Sequence, residues 1–239
     1  MKKILLISDI HANYPALKAV AGHKEAAGCD LVCNCGDSTV YAPFPNETIE
    51  WLRACQAVSI LGNTDRKVRK LARGKKFKKP RKPEKRIMYT WTIEVLTNKN
   101  LLYLQSLHKK SILKVKGVKI GLFHGSPDDP DEFLFPTTSD KRFNELALKS
   151  KYDVVCCGHS HTPFHKYYNG VHFINPGSVG RMFDGNPAAS FAILQVSGKK
   201  IAVSHYRVDW EFAMMKKAFL QSHLPEIYID MYRKGMKLN

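Results

Sequence analysis

Lys3-Ile4-Leu5-Leu6-Ile7-Ser8-Asp9-Ile10-His11-Ala12-Asn13 opens with a short apolar run that empties into a polar turn. A run without polar alternation is buried on both faces, as central strands of α/β sheets are. A carboxylate and an imidazole two residues apart then stand at its carboxyl end, where open α/β sheets bind their ligands. Pro15 to Ala27 reads as a helix, with Leu17 and Val20 on one face and Gly28 beyond its end. Asp30 to Cys35 is a second strand ending at Gly36-Asp37. Asn46 reads as the cap of a helix through Ile49, Trp51 and Leu52. Ala57 to Leu61 is a third strand, ending at Gly62-Asn63-Thr64-Asp65. Strands alternating with helices imply right-handed crossovers and a parallel sheet.

From Tyr89 to Leu107 a helical period returns, with Trp91, Val95, Leu102 and Leu104 as its expected buried positions. Ser111 to Val115 and Val118 to Phe123 read as a hairpin whose second strand ends at His124, and Ser139 to Lys149 as a helix. Asp153 to Cys157 is another buried strand, ending at Gly158-His159-Ser160-His161. Phe164 to Tyr168 and Val171 to Ile174 flank Asn169-Gly170, a favoured hairpin turn. Ser190 to Val196 pairs with Ile201 to Val208, and a helical tail fills about 210–239. The expected organisation is one domain over 1–239, with a basic cap inserted at about 66–108.

A chain of 239 residues can bury a substantial core. No apolar stretch approaches the roughly 20 residues of a membrane span, and the N-terminus lacks a signal-peptide pattern, so a cytoplasmic protein is expected. The six cysteines (Cys29, Cys33, Cys35, Cys55, Cys156 and Cys157) form no Cys-x-x-Cys pair and read as buried reduced thiols. The net charge of +17 is local: Arg66 to Arg86 holds 13 Lys/Arg against Glu84, so it supplies +12 and leaves +5 for the rest. Pro80 and Pro83 interrupt this stretch, which reads as a loop or a surface excursion. Its functional reading is an electrostatic funnel for nucleotides or nucleic acid, and its plain reading is a solvated loop. Only Phe77 and Tyr89 could stack on bases, fewer than a single-strand platform uses.

Five strand ends thus carry Asp9 and His11, Asp37, Asn63, His124, and His159 with His161. Seven oxygen and imidazole donors exceed one tetrahedral ion and suit two ions sharing a carboxylate. Such pairs favour in-line attack on phosphorus. The order Asp9-x-His11, Gly36-Asp37, Gly62-Asn63-x-Asp65, His124 and Gly158-His159-x-His161 resembles the calcineurin-like metallophosphoesterases. Ile174-Asn175-Pro176-Gly177-Ser178-Val179-Gly180 is similar to a segment of that family's small prokaryotic phosphodiesterase branch.

The resemblance implies an α/β four-layer α-β-β-α sandwich, two mixed sheets flanked by helices. It implies that Asp9, His11 and His161 hold one metal, that Asn63, His124 and His159 hold the other, and that Asp37 bridges them. The cofactors are then two divalent ions, manganese first, with iron, zinc, cobalt or nickel accepted by the same donors. The implied reaction is phosphodiester hydrolysis by a metal-bridging hydroxide, on a substrate that is nucleotide-like. Asp37, Asn63, Thr64 and Asp65 form the expected catalytic group, and Asn13, Asn63, Ser178 and Arg181 the expected substrate contacts. Asp65 either orients a ligand or caps a helix, and Asn13 and Arg181 have structural alternatives as cap and surface residue.

Thr64 departs from the family, which usually places His there. A threonine hydroxyl can bind phosphate but cannot serve as a general acid near neutral pH. The remaining histidines, His23, His108, His205 and His223, read as structural, and His165 and His172 have a weak claim on substrate. Alternative functions are a phosphomonoesterase or protein phosphatase-like activity, a non-catalytic scaffold, and a nucleic-acid-binding module built on the basic stretch.

Overall fold

The first strand, β1 (Lys2–Ile7), is buried on both faces because it is sandwiched, and its parity shows by what. Ile4 and Leu6 point into a core shared by two sheets, while Leu5 and Ile7 point at helices on the other side. In this computed structural model, which describes residues 1–239, the chain continues through α1 (Tyr14–Gly22), α2 (Lys24–Ala27), β2 (Leu31–Asn34), α3 (Pro45–Ala54) and β3 (Val58–Ser59). Three helices follow, α4 (Asn63–Leu71), α5 (Pro83–Val95) and α6 (Asn98–Ser106). Next come β4 (Lys110–Val115), β5 (Val118–Phe123), α7 (Asp140–Lys149), β6 (Val154–Cys156), β7 (Phe164–Tyr168) and β8 (Val171–Asn175). The chain closes with β9 (Ala189–Ser197), β10 (Lys200–Val208), α8 (Phe212–Gln221) and α9 (Ile227–Lys234).

The strands form two five-stranded sheets in the orders β10-β9-β1-β2-β3 and β4-β5-β6-β8-β7. In the first, β1-β2-β3 are parallel with β3 at the edge, and antiparallel β9 and β10 extend the other side; in the second, parallel β5-β6-β8 is flanked by antiparallel β4 and β7. Both parallel centres aim their carboxyl ends at one edge of the sandwich. Val154 and Cys156 face the shared core, whereas Val155 and Cys157 face α7, the same alternation as in β1. The helices α1 and α3 cover the outside of the first sheet through Leu17, Val20 and Leu52. The result is the expected four-layer arrangement. A separate cluster, with Val68, Tyr89, Leu104, Phe219 and Tyr228 among its members, joins α4–α6 to α8 and α9. No helix is long and apolar enough to cross a membrane.

Local departures from the sequence reading have physical causes. The helix expected over Pro15 to Ala27 breaks at His23, whose extended backbone lets its Nδ1 accept the Glu25 N–H at 3.3 Å and start α2. Phe44, not Asn46, precedes α3, because Pro45 fits the first helical position without losing an N–H partner. The Asn46 amide ties the α5–α6 corner instead, donating to the Val95 carbonyl at 2.8 Å and accepting from the Thr97 N–H at 3.0 Å. The third strand is cut to two residues because the Leu61 N–H leaves the ladder for the His108 carbonyl, at 2.8 Å. The basic stretch is helix at its two ends and irregular between them: α4 runs to Leu71 with Val68 buried, and α5 starts at Pro83. Four cysteines are buried as expected, but Cys29 is half-buried and Cys55 exposed, and all six are free thiols.

In the cap, Trp91 and Val95 are half-buried, and Leu102 is 65% exposed while Leu104 is fully buried. The buried stripe of α6 is Asn100 and Leu104, one turn apart. Leu104→Ala should therefore cost about 2–5 kcal/mol, whereas Leu102→Ala should stay within about 0.5 kcal/mol. Urea unfolding of the two variants checks this difference. Equal midpoints would contradict the packing of α6.

Candidate metal centre

The carboxyl ends of β1, β2, β5 and β6 meet at one point, and the backbone there is unusual. Asp9, His11, Asp37, His159 and His161 all have positive φ, between 51° and 66°, in the left-handed region that ordinary residues avoid. Five of the seven predicted ligands thus sit in strained conformations, a cost that surrounding contacts must offset. Those contacts are visible. The Asp9 N–H donates to the Gly36 carbonyl and the His11 N–H to the Asp37 carbonyl, each at 2.9 Å, so the first and second strand ends brace one another.

The structure brings five residues into two groups that share Asp9, Asp9-His11-His161 and Asp9-Asp37-His124, each with its ligand atoms within 4.8 Å of one another. Asp9 Oδ2 accepts from Ser8 Oγ at 2.7 Å and from the His159 N–H at 3.0 Å. Its Oδ1 is buried without a hydrogen-bond partner, 3.3 Å from His161 Nε2 and 3.8 Å from His11 Nε2. Asp37 Oδ1 accepts the Thr64 N–H at 2.8 Å. Its Oδ2 lies between the two groups, 3.8 Å from His11 Nε2 and 3.6 Å from His124 Nε2.

Asn63 completes the second group. Its inward carboxamide atom lies 2.9 Å from His159 Nδ1, 3.0 Å from His124 Nε2 and 3.1 Å from Asp37 Oδ2. With nitrogen inward the amide has two N–H groups for these three acceptors; with oxygen inward, four lone-pair atoms face one point, which is what a cation requires. Two imidazoles are turned by backbone carbonyls. His124 Nδ1 faces the Cys35 carbonyl at 2.9 Å, and His161 Nδ1 faces the Arg181 carbonyl, leaving both Nε2 atoms directed inward.

Electrostatics point the same way. Burial pushes the Asp9 and Asp37 carboxyls up, yet neighbouring imidazoles outweigh it and hold both below the usual range. Burial pulls His124 down, but Asp37, Asp9 and the Cys35 carbonyl raise it to about 9. Burial depresses His11 to about 3, keeping that ring a neutral donor despite Asp37. Two buried carboxylates thus demand positive charge from whatever stands between them. The orphaned Asp9 Oδ1, the inward imidazoles and the N/O donor set fit divalent cations.

Residues 1–218 match the calcineurin-like phosphoesterase superfamily domain. The chain belongs to that superfamily. It is 32% identical over 240 residues to an uncharacterised protein of Methanocaldococcus jannaschii, covering 93% of this chain and 94% of that protein. Among solved structures it resembles a metallophosphoesterase from Sphaerobacter thermophilus, with TM-score 0.81 and 27% identity over 98% of this chain and 99% of that one. A hypothetical protein from Pyrococcus horikoshii has the same fold, with TM-score 0.86 and 20% identity over 99% and 100% of the two chains. The superfamily is one of phosphoester hydrolases that bind divalent metals.

Several predicted site residues are spent on scaffolding. Asn13 caps α1, accepting the Ala16 N–H and donating to the Gly180 carbonyl, both at 3.1 Å, so neither end of its amide is free for phosphate. Ser178 Oγ donates to the Asp9 carbonyl and accepts from the Arg181 N–H, both at 2.7 Å. Arg181 is no surface arginine: it is 7% exposed, its guanidinium lies 4.1 Å over the Tyr41 ring, and its Nε has no partner. Thr64 Oγ1 donates to the Thr39 carbonyl at 3.2 Å, and only its main-chain N–H serves the centre. Asp65 is the third residue of α4, fully buried, and accepts from the Ser38, Thr39 and Gly62 N–H groups at 3.1, 3.0 and 3.2 Å. It holds the turn that carries Asp37 rather than meeting substrate.

Other contacts escaped the sequence reading. Phe133 stacks on His159 at 3.9 Å between ring centroids, and Phe183 on His161 at 4.6 Å. Both come from irregular loops, where no periodicity announces them. Asn175 Nδ2 donates to the Gly158 carbonyl at 2.9 Å and to Ser160 Oγ at 3.0 Å, clamping the Gly-His-x-His turn. Ser8 was visible only as the neighbour of Asp9. His165 and His172 pair with each other at 2.9 Å on the β7–β8 hairpin, away from the centre.

Gly62 packs directly against the Asp37 carboxylate. A Cβ there would lie 2.0 Å from Asp37 Oδ1 and 2.3 Å from the Asp37 backbone nitrogen. Gly62→Ala should displace Asp37 and at least halve the divalent metal retained per chain, read by elemental analysis after dialysis. Loading equal to that of the unsubstituted protein would refute the role of this close approach.

Proposed function

We propose that the protein is a phosphodiesterase that uses two divalent cations, one held by Asp9, His11 and His161, the other by Asn63, His124 and His159, with Asp37 shared. The observation that carries this reading is the position of Asp37 Oδ2 between His11 and His124. When bound, two such cations supply a nucleophile near neutral pH and offset charge on phosphoryl oxygens. The chain's own residues do the positioning. The Thr64 N–H fixes the Asp37 carboxylate, and the Cys35 and Arg181 carbonyls fix the rotamers of His124 and His161. The same donors accept manganese, iron, zinc, cobalt or nickel. Six free thiols support a cytoplasmic setting.

The diester preference follows from what stands at the site mouth. The Thr64 side chain is turned to the Thr39 carbonyl, so this position offers no group to protonate a leaving alkoxide. Esters whose leaving group departs as a stable anion are then favoured. With manganese present, an aryl phosphodiester should be cleaved at least tenfold more efficiently, in kcat/KM, than the matching aryl monoester. Comparable turnover of the two would count against the preference. Chelation should abolish cleavage and added divalent ions restore it. Asp37→Ala should lower kcat by at least about a hundredfold with folding intact, since it removes the shared ligand. A variant that retained full activity would rule out the bridging role.

A further inference from the structure

Beside this centre lies a cavity of about 630 Å³ whose walls carry six lysines, Lys67, Lys70, Lys75, Lys76, Lys78 and Lys79, with Leu71 and Phe77 between them. No carboxylate lines it, and none of the six lysines makes an ion pair. Six ammonium groups around one concavity repel one another, and the arrangement is stable in proportion to the negative charge it attracts. Three of the five arginines of the same stretch are bonded: Arg66 pairs with Asp131, Arg69 donates to the Leu107 carbonyl at 3.3 Å, and Arg86 donates to the Pro80 carbonyl at 2.9 Å. Of the pocket lysines, Lys67 has its ammonium 5.2 Å over the Tyr89 ring, and the other five have no such partner.

The helix α4 connects pocket and centre. Asn63 opens it at the metal centre, and Lys67, Lys70 and Leu71 follow at spacings of four, seven and eight, which place them on one face. From Asn63 to Lys70 this stripe advances about 10 Å along the axis. The field of Asp37 reaches Lys67, the half-buried first lysine of the stripe. An extended anion with one phosphate at Asn63 would therefore lay its remaining charges along Lys67 and Lys70 into the pocket.

We propose that the lysine pocket binds the oligophosphate chain of the substrate, three or more linked phosphates as on a nucleoside oligophosphate, while the ester to be cut lies at Asp37. This rests on the phosphoesterase reading above. A nucleic-acid strand fits the features less well. The pocket's one aromatic, Phe77, is already engaged, with Arg86 5.5 Å over its ring and Tyr89 6.2 Å from it. Single-strand platforms repeat such faces along a groove; here charge is concentrated in one hollow.

The test uses the full chain and a quadruple variant, K75Q/K76Q/K78Q/K79Q. Inorganic tripolyphosphate, titrated calorimetrically without added divalent ions, should bind the unsubstituted protein at one site and the variant at least tenfold more weakly. Added salt should weaken the binding steeply. With manganese, the KM for an aryl ester of a nucleoside triphosphate should rise at least tenfold in the variant, and that for a small aryl diester less than twofold. Unchanged tripolyphosphate affinity, or an equal rise in both KM values, would overturn the proposal. So would an oligonucleotide that binds more tightly than tripolyphosphate and loses more affinity in the variant. If the unsubstituted protein cleaves no aryl ester, the phosphoesterase reading falls, while the tripolyphosphate titration still decides the pocket.

Discussion

Two carboxylates, Asp9 and Asp37, are buried side by side, and their mutual repulsion sets the terms for everything around them. Removing one such charge from water costs several kcal/mol, and removing two without positive charge between them is not sustainable. The fold answers by aiming the carboxyl ends of two parallel sheet centres at the same edge. Inward imidazoles then surround the carboxylates, and the strained turns that carry them are tied to each other by backbone hydrogen bonds. The strain at Asp9, His11, Asp37, His159 and His161 is affordable because it is distributed across both sheets, each of which holds the other's turn in place.

The convergence of the candidate ligands was legible because each occupies a strand end, and strand ends follow from apolar runs that the sequence displays openly. Asp9, His11, Asp37, Asn63, His124, His159 and His161 needed no knowledge of side-chain direction. The residues assigned to substrate did. Asn13, Ser178 and Arg181 lie close to the ligands in space, and proximity alone suggested phosphate. The side chains of Asn13 and Ser178 bond Ala16, Gly180 and Asp9 instead, while the Arg181 guanidinium lies over the Tyr41 ring with its Nε unpartnered, and such partners across the fold have no signature in local sequence. Helix boundaries failed for a similar reason. Asn46 has the right chemistry for a cap, but tertiary partners at Val95 and Thr97 claimed its amide.

The segment from Asn175 to Gly180 shows how the scaffold works as a second layer. Asn175 holds the Gly158–His161 turn of one sheet, and Ser178 holds the Asp9 turn of the other. His205, from β10, supports this layer in turn, with its Nε2 2.8 Å from the Asn175 carbonyl. A Cβ at Gly158 would lie 1.9 Å from Ser8 Oγ, so the two turns touch directly beneath the carboxylates. The centre is rigid because four turns, none of them regular structure, are mutually bonded. Rigidity is what a site needs to hold its donors in place before any ligand arrives.

The basic stretch makes the complementary point about charge. Its excess of cations reads in the sequence as one featureless block, suited equally to solvation or to a polyanion. Folding commits part of it: three of its five arginines, each a planar fork of donors, bond a carboxylate or carbonyls at Arg66, Arg69 and Arg86. Lysine, a mobile point charge on a flexible stem, is left unpaired around the hollow beside α4. Unpaired lysines gathered in one hollow, with no carboxylate on its walls, suit a partner that is itself mobile, multiply charged and tolerant of imprecise geometry, which describes a chain of phosphates better than it describes a protein surface.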